Sequence, residues 1–183
     1  LEAAFKSANE RPSNMKPAKR GLRKKFYEEL YGKEYTEVER AVGELYADYY
    51  LRDSEIPYIH FDNIKTTKVN GKDVYYLDTT SFAKDKTKPR PILLNKEFAI
   101  KLKEILSDRK NMDKPLDAEV SSINKLVNNN KEFTDNYSTK QGESGQGRKD
   151  FRHRAERIGY KENINQGLLN YVLGHGRERI KDI

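Results

Sequence analysis

The sequence predicts an α+β fold, a mostly helical single domain with one small three-stranded antiparallel sheet. Three observations lead there. Apolar residues recur at helical spacing before residue 52 and again after residue 95. Between them lies "PYIHFDNIKTTKVNGKDVYYLDTTSF", rich in β-branched and aromatic residues. Its middle holds Asn70-Gly71, a dipeptide suited to a tight hairpin turn. The length, 183 residues, is within the usual size of one domain.

In chain order, residues 1–20 read as a basic linker or arm. "NERPSNMKPAKRG" carries two prolines and several turn residues, without an apolar period. From Lys16 to Lys25, six of ten residues are basic: Lys16, Lys19, Arg20, Arg23, Lys24 and Lys25. Helical signals begin near Leu22, and the domain is taken as 21–183. "TEVERAVGELYADYYL" sets Val38, Ala41, Val42, Leu45 and Tyr49 on one face, and Thr36 with Glu39 forms a capping box. The hairpin follows, with His60 expected in a strand as a structural residue. "RPILL", Arg90 to Leu94, reads as a third short strand. "NKEFAIKLKEIL" is a helix with Phe98, Leu102, Ile105 and Leu106 on one face. "PLDAEVSSINKLVNNN" is another, started by Pro115 or Asp117. "NYSTKQGESGQGRKD" is a polar, Gly-rich loop, and "KDFRHRAERIGY" a short helix broken near Gly159. "NINQGLLNYVL" has Ile164, Leu168, Tyr171 and Val172 at helical spacing, with Gly174 placed as a C-cap.

Composition narrows the function. There are 36 Lys+Arg against 29 Asp+Glu, a formal net charge of +7. That excess favours a polyanionic partner, nucleic acid first and an acidic membrane surface second. With no cysteine there is no disulfide, zinc–cysteine site or thiol chemistry, which fits a reducing compartment. Apolar runs are only a few residues long and no signal peptide is visible. A cytoplasmic location is expected, or the host cytoplasm or nucleoid if a mobile element encodes the chain.

Four charged pieces stand out, far apart in sequence. "LRDSEIPYIHFDNI" has Arg52 at the end of a helix and Glu55 three residues on. "AKDKTKPR" puts Lys84 and Lys86 in the tight connection between the second and third strands. "KDFRH" holds Lys149, Arg152 and His153, and "VLGH" holds His175. Each has a plain reading by itself: an Arg52–Glu55 surface ion pair, a solubilised turn, a helix-capping Arg152, a His175 at a helix C-terminus.

Taken in order, the four resemble the signature of the tyrosine recombinases, the integrase family. Arg52, Glu55 and "FDNI" are similar to that family's first box, an Arg with a Glu three residues later ahead of a strand. Lys84 or Lys86 before "RPILL" resembles its β-hairpin lysine. "KDFRH" resembles its central His-x-Leu-Arg-His box, and "VLGH" its final Leu-Leu-Gly-His box. The resemblance covers about residues 36 to 183.

The resemblance implies a tyrosine-recombinase catalytic-domain fold and metal-independent DNA breaking and rejoining. A tyrosine attacks the scissile phosphate, forms a 3′-phosphotyrosyl bond and expels a 5′-hydroxyl. Arg52 and Arg152 would hold the non-bridging oxygens, since a guanidinium offers paired planar donors and keeps its charge. Lys84, with Lys86 as the close alternative, would protonate the leaving oxygen as general acid. His175 would donate to the phosphate or help place the nucleophile, Glu55 would orient Arg52, and His153 would brace Arg152. The family's tyrosine usually follows the last His by nine residues. Nine past His175 is position 184, and the sequence ends at Ile183, so a nucleophile tail is expected to be missing. Tyr171 precedes that His on an apolar face and reads as core.

One departure changes the branch. Lys149 stands where the central box normally opens with His, a form that telomere resolvases and some archaeal viral integrases resemble. Lys16, Lys19, Arg20, Arg23, Lys24, Lys25, Lys140, Arg148 and Arg154 are the expected phosphate contacts. The expected partners are double-stranded DNA and further copies of the chain, as a dimer or tetramer on DNA. No cofactor, metal or membrane is expected. A non-catalytic DNA-binding module with the same fold and an unrelated basic nucleic-acid binder are the competing readings.

Overall fold

The computed structural model describes residues 22–49, 51–82 and 89–129. Among the described residues there are four α-helices and one three-stranded antiparallel sheet. The helices are α1 (Leu22–Gly32), α2 (Glu37–Ala47), α3 (Lys96–Ser107) and α4 (Asp117–Asn129). The strands are β1 (Ile64–Val69), β2 (Lys72–Asp78) and β3 (Pro91–Leu94), in that spatial order. Two single-turn 3-10 segments, Ile56–Tyr58 and Phe61–Asn63, link α2 to β1. None of the described helices is long and apolar enough to cross a membrane.

The helices start where side chains satisfy their first amides. At α2 the Glu39 N–H donates to Thr36 Oγ1 at 3.1 Å, and the Thr36 N–H donates to Glu39 Oε1 at 3.0 Å. This is the capping box the sequence predicts, and it serves two donors with no partner inside the helix. At α3, Asn95 Oδ1 accepts from the N–H groups of Glu97 and Phe98. The predicted faces are the buried ones. Ala41, Val42 and Leu45 of α2 are buried with Val38 and Tyr49 partly covered, and Phe98, Leu102 and Leu106 of α3 are buried with Ile105 partly covered.

Gly43 sets how closely α1 and α2 approach. A Cβ built there would lie 2.6 Å from Leu30 Cδ2 and 3.3 Å from Phe26 Cζ. Both neighbours are fully buried side chains of α1, so a larger residue at 43 forces them to move.

The hairpin is also where the pattern placed it. Asn70 (φ 51°) and Gly71 (φ 75°) form the tip between β1 and β2, with the two positive φ values that a two-residue turn of this twist needs. Register pairs Ile64 with Leu77 and Val69 with Lys72, and β2 continues onto β3 through Leu77–Ile92 and Tyr75–Leu94. Alternation puts Ile64, Leu77, Ile92 and Leu94 on the buried face, where they join Phe26, Leu30, Leu45, Leu102, Leu106 and Ile123 in one core. Toward its tip the hairpin leaves the core, and Thr66 to Lys72 are exposed.

Three local expectations are corrected. His60 is the residue before the second 3-10 turn rather than part of a strand. Its N–H donates to Asn63 Oδ1 at 2.7 Å, and its ring nitrogens lie 2.7 Å from the Tyr58 carbonyl and 3.0 Å from the Met112 carbonyl. Those polar contacts break the extended run that the β-branched texture implied. Arg52 is not at a helix end. Helix α2 stops at Ala47 with Asp48 as its C-cap, so Arg52 lies in the following turn. The β2–β3 connection is not tight, because it runs from Thr79 to Arg90.

The linker assigned to 1–20 and the elements assigned beyond residue 129 lie outside the described residues.

Candidate functional site

The chain leaves α2 and folds a compact turn around Arg52. Leu51 is buried, and its N–H reaches back to the Leu45 carbonyl at 3.4 Å. The Arg52 carbonyl accepts the N–H of Glu55 at 2.9 Å and of Ile56 at 3.3 Å. In return the Arg52 N–H donates to Glu55 Oε2 at 3.0 Å. Residues 52 and 55 therefore close on each other in the reciprocal manner of a helix N-terminus. Pro57 then sits in the first turn of the Ile56–Tyr58 3-10 segment, where its missing N–H costs nothing.

Glu55 is fully buried, and a buried carboxylate is stable only with full hydrogen bonding. Arg90 supplies it. Nη1 donates to Oε1 at 2.9 Å and Nη2 to Oε2 at 3.3 Å, with both side chains about 1% exposed. This parallel fork is the geometry in which a guanidinium holds a carboxylate best. Arg90 is anchored in turn by Thr79. The Arg90 N–H donates to Thr79 Oγ1 at 2.8 Å, and the Thr79 hydroxyl donates to the Arg90 carbonyl at 3.0 Å. Thr79 follows β2 and Arg90 precedes β3, so this contact ties together the two ends of the intervening connection.

The link between Glu55 and Arg52 thus runs through Arg52's main chain, and the simple surface ion pair of the two side chains is not what forms. Arg52 itself is half-buried. Its Nε is buried and has no hydrogen-bond partner among the described residues. A buried guanidinium donor without an acceptor is costly unless a ligand or another group supplies one.

Of the other predicted site residues, Arg23, Lys24 and Lys25 lie in the first turns of α1 and are exposed. Arg23 is committed to Asp48, with Nε to Oδ1 at 2.6 Å and Nη2 to Oδ2 at 2.9 Å. Tyr27 adds a third bond to that carboxylate at 2.7 Å, and burial, then this bond, push its phenol pKa upward. Lys24 faces Glu28 at 3.9 Å. Lys16, Lys19, Arg20, Lys84, Lys86, Lys140, Lys149, Arg148, Arg152, His153, Arg154 and His175 lie outside the described residues, as does Tyr171.

Two features were not read from the sequence. Arg90 and Thr79 are one; their only sequence signal is a charged residue between Pro89 and Pro91 at the head of an apolar strand. The other is a set of lysines over aromatic rings. Lys110 Nζ is 4.1 Å and Lys103 Nζ 4.9 Å from the Phe61 ring centre, and Lys114 Nζ is 5.6 Å from that of Tyr58. A separate cleft of about 470 Å³ opens between α1, α2 and α4, lined by Glu29, Lys33, Tyr35, Glu39, Ser122 and Lys125 among others. It does not include Arg52, Glu55 or Arg90. Its charged groups are partly used already, Lys33 by Glu29 at 2.8 Å and Glu39 by the α2 cap.

No protein-family model matches the chain, and no curated protein or solved structure compared with it does so.

Proposed function

We propose that the chain is the catalytic domain of a metal-independent DNA breaking and rejoining enzyme of the tyrosine-recombinase kind. The observation that carries this reading is Arg52, set in a rigid turn by a buried carboxylate while its buried Nε has no acceptor among the described residues. A scissile phosphate is an acceptor that fits, because charge grows on its non-bridging oxygens during attack. The ordered boxes from Arg52 to His175 and the excess of basic residues support the same reading.

In this proposal Arg52 and Arg152 hold the phosphate and a tyrosine expected nine positions past His175 attacks it. The tyrosine gives its phenolic proton to His175 as general base, and the phosphate becomes joined to the tyrosine oxygen as its bond to the 5′-oxygen breaks. Lys84 or Lys86 gives that oxygen its proton, so no water or metal enters the step. His175 and Lys149 assist at the phosphate. Lys149 in place of His favours, as the second reading, the hairpin-forming telomere-resolvase branch or the archaeal viral integrase branch of the same chemistry.

Duplex DNA binding measured by fluorescence anisotropy in chelator, over a range of salt, tests the proposal. Affinity falls steeply with salt, because the contacts are to phosphates. Arg152→Ala abolishes strand cleavage in the full-length protein and leaves most of the binding, since one phosphate contact is a small share of the total. Equal loss of binding and cleavage makes Arg152 a docking residue. Binding with no cleavage by the full-length protein leaves the non-catalytic DNA-binding module.

A further inference from the structure

We infer that Arg90 is a positioning residue for Arg52, acting through the buried carboxylate of Glu55. This rests on the proposed role of Arg52 and gives a role to Arg90, whose place in the sequence signature is only the head of "RPILL".

The geometry forms a chain of three links. Thr79 fixes the main chain of Arg90 from both its N–H and its carbonyl, at 2.8 Å and 3.0 Å. Arg90 then presents its guanidinium to Glu55 as a two-pronged fork with almost no solvent access. Glu55 uses Oε2, the oxygen already engaged by Nη2, to receive the Arg52 N–H at 3.0 Å. The carboxylate therefore has one orientation, set from β3, and that orientation fixes where the Arg52 main chain starts its side chain. Packing alone does not require a charged pair here. Leu51, Ile56 and Leu77 are fully buried apolar residues of the core, and well-packed apolar residues of similar volume often replace a buried ion pair without loss of stability. A lysine at 90 keeps the charge but loses the fork.

The positioning role separates from a structural one in a double-mutant cycle. The readout is the single-turnover rate of covalent capture of a nicked duplex by the full-length protein, with DNA affinity and melting temperature measured alongside. Arg52→Ala slows capture on the order of 100-fold or more, as for removal of a transition-state donor. Arg90→Lys slows capture about 10-fold to 100-fold, the range seen when a residue that orients a functional group is changed. The paired change Glu55→Leu with Arg90→Met slows it similarly while the protein stays folded with its DNA affinity intact. In the Arg52→Ala background, neither change slows capture further, because nothing is left to position.

Equal multiplicative losses in both backgrounds overturn the positioning role while leaving Arg52 as a catalytic residue. An Arg52→Ala protein that captures DNA as fast as its parent overturns the reading of Arg52 itself, and this inference with it. Amide exchange supplies a readout independent of activity. The Arg52 N–H exchanges at least about 10-fold faster in Arg90→Lys at a temperature where the global fold is intact, the amount expected if about one hydrogen bond's worth of local protection is lost. Unchanged exchange at that site overturns the link.

Discussion

Two ion pairs near the open end of the β1–β2 hairpin bring opposite charges together under opposite physical conditions. On the solvent side, Lys65 and Asp78 meet at 2.9 Å with their side chains 48% and 27% exposed. On the core side, Glu55 and Arg90 meet at the same distance and are about 1% exposed. Water and salt screen the first pair, so it contributes little to stability and tolerates change. The second pair has lost its hydration and depends on its hydrogen bonds, so each partner needs the other. Opposite charges that decorate the surface in one pair therefore fix backbone geometry in the other, beside the arginine proposed to act on phosphate.

Breaking the buried pair gives the largest effect. Glu55→Ala leaves the Arg90 guanidinium buried without its carboxylate and costs about 3–5 kcal/mol of folding stability. Urea unfolding checks this, and a loss below about 1 kcal/mol shows that water enters and rehydrates Arg90. The neighbouring apolar core provides the reference. Leu102→Ala, at a fully buried site on α3, costs about 2–5 kcal/mol through lost transfer energy and the cavity left behind. If the two variants melt alike, the base of the hairpin is as integral to the fold as the helical core.

How much was visible in advance follows the range of the interactions. The helices, their apolar faces, the Thr36–Glu39 box and the Asn70-Gly71 turn depend on residues within a few positions of one another, so spacing alone located them. Glu55 and Arg90 are 35 residues apart, and nothing local in "RDSEIP" or "KPRPIL" says that they meet. His60 was misplaced for a related reason. Its neighbours have strand-like side chains, but Pro57 and the Asn63 side chain bend the chain into 3-10 turns. For the candidate site, the sequence singles out Arg52 and Glu55 as a pair, whereas the anchoring of Glu55 through Arg90 and Thr79 has no local signal.

Smaller effects sharpen the contrast. Thr36→Ala removes an exposed cap on α2 and costs about 1 kcal/mol, readable as a lower urea midpoint. The exposed pair comes last and shows itself through pH. The Thr80 hydroxyl and N–H, followed by the Lys65 ammonium, hold the Asp78 carboxyl at about 2, below its ordinary 3.8. A lowered carboxyl pKa stabilises the fold above the ordinary value, and the gain is lost as pH falls from about 4 through about 2. Asp78→Asn flattens that part of the acid-unfolding curve. Lys65→Met changes it less, because the Thr80 bonds dominate, and added salt narrows the remaining difference.

Covalent capture tests the central claim most directly. The full-length protein is mixed with a nicked duplex in chelator, denatured and run on a gel beside its Arg52→Ala variant. A protein–DNA adduct forms without added metal and is reduced on the order of 100-fold in the variant. An adduct of equal yield from Arg52→Ala, or cleavage that requires magnesium, contradicts the claim.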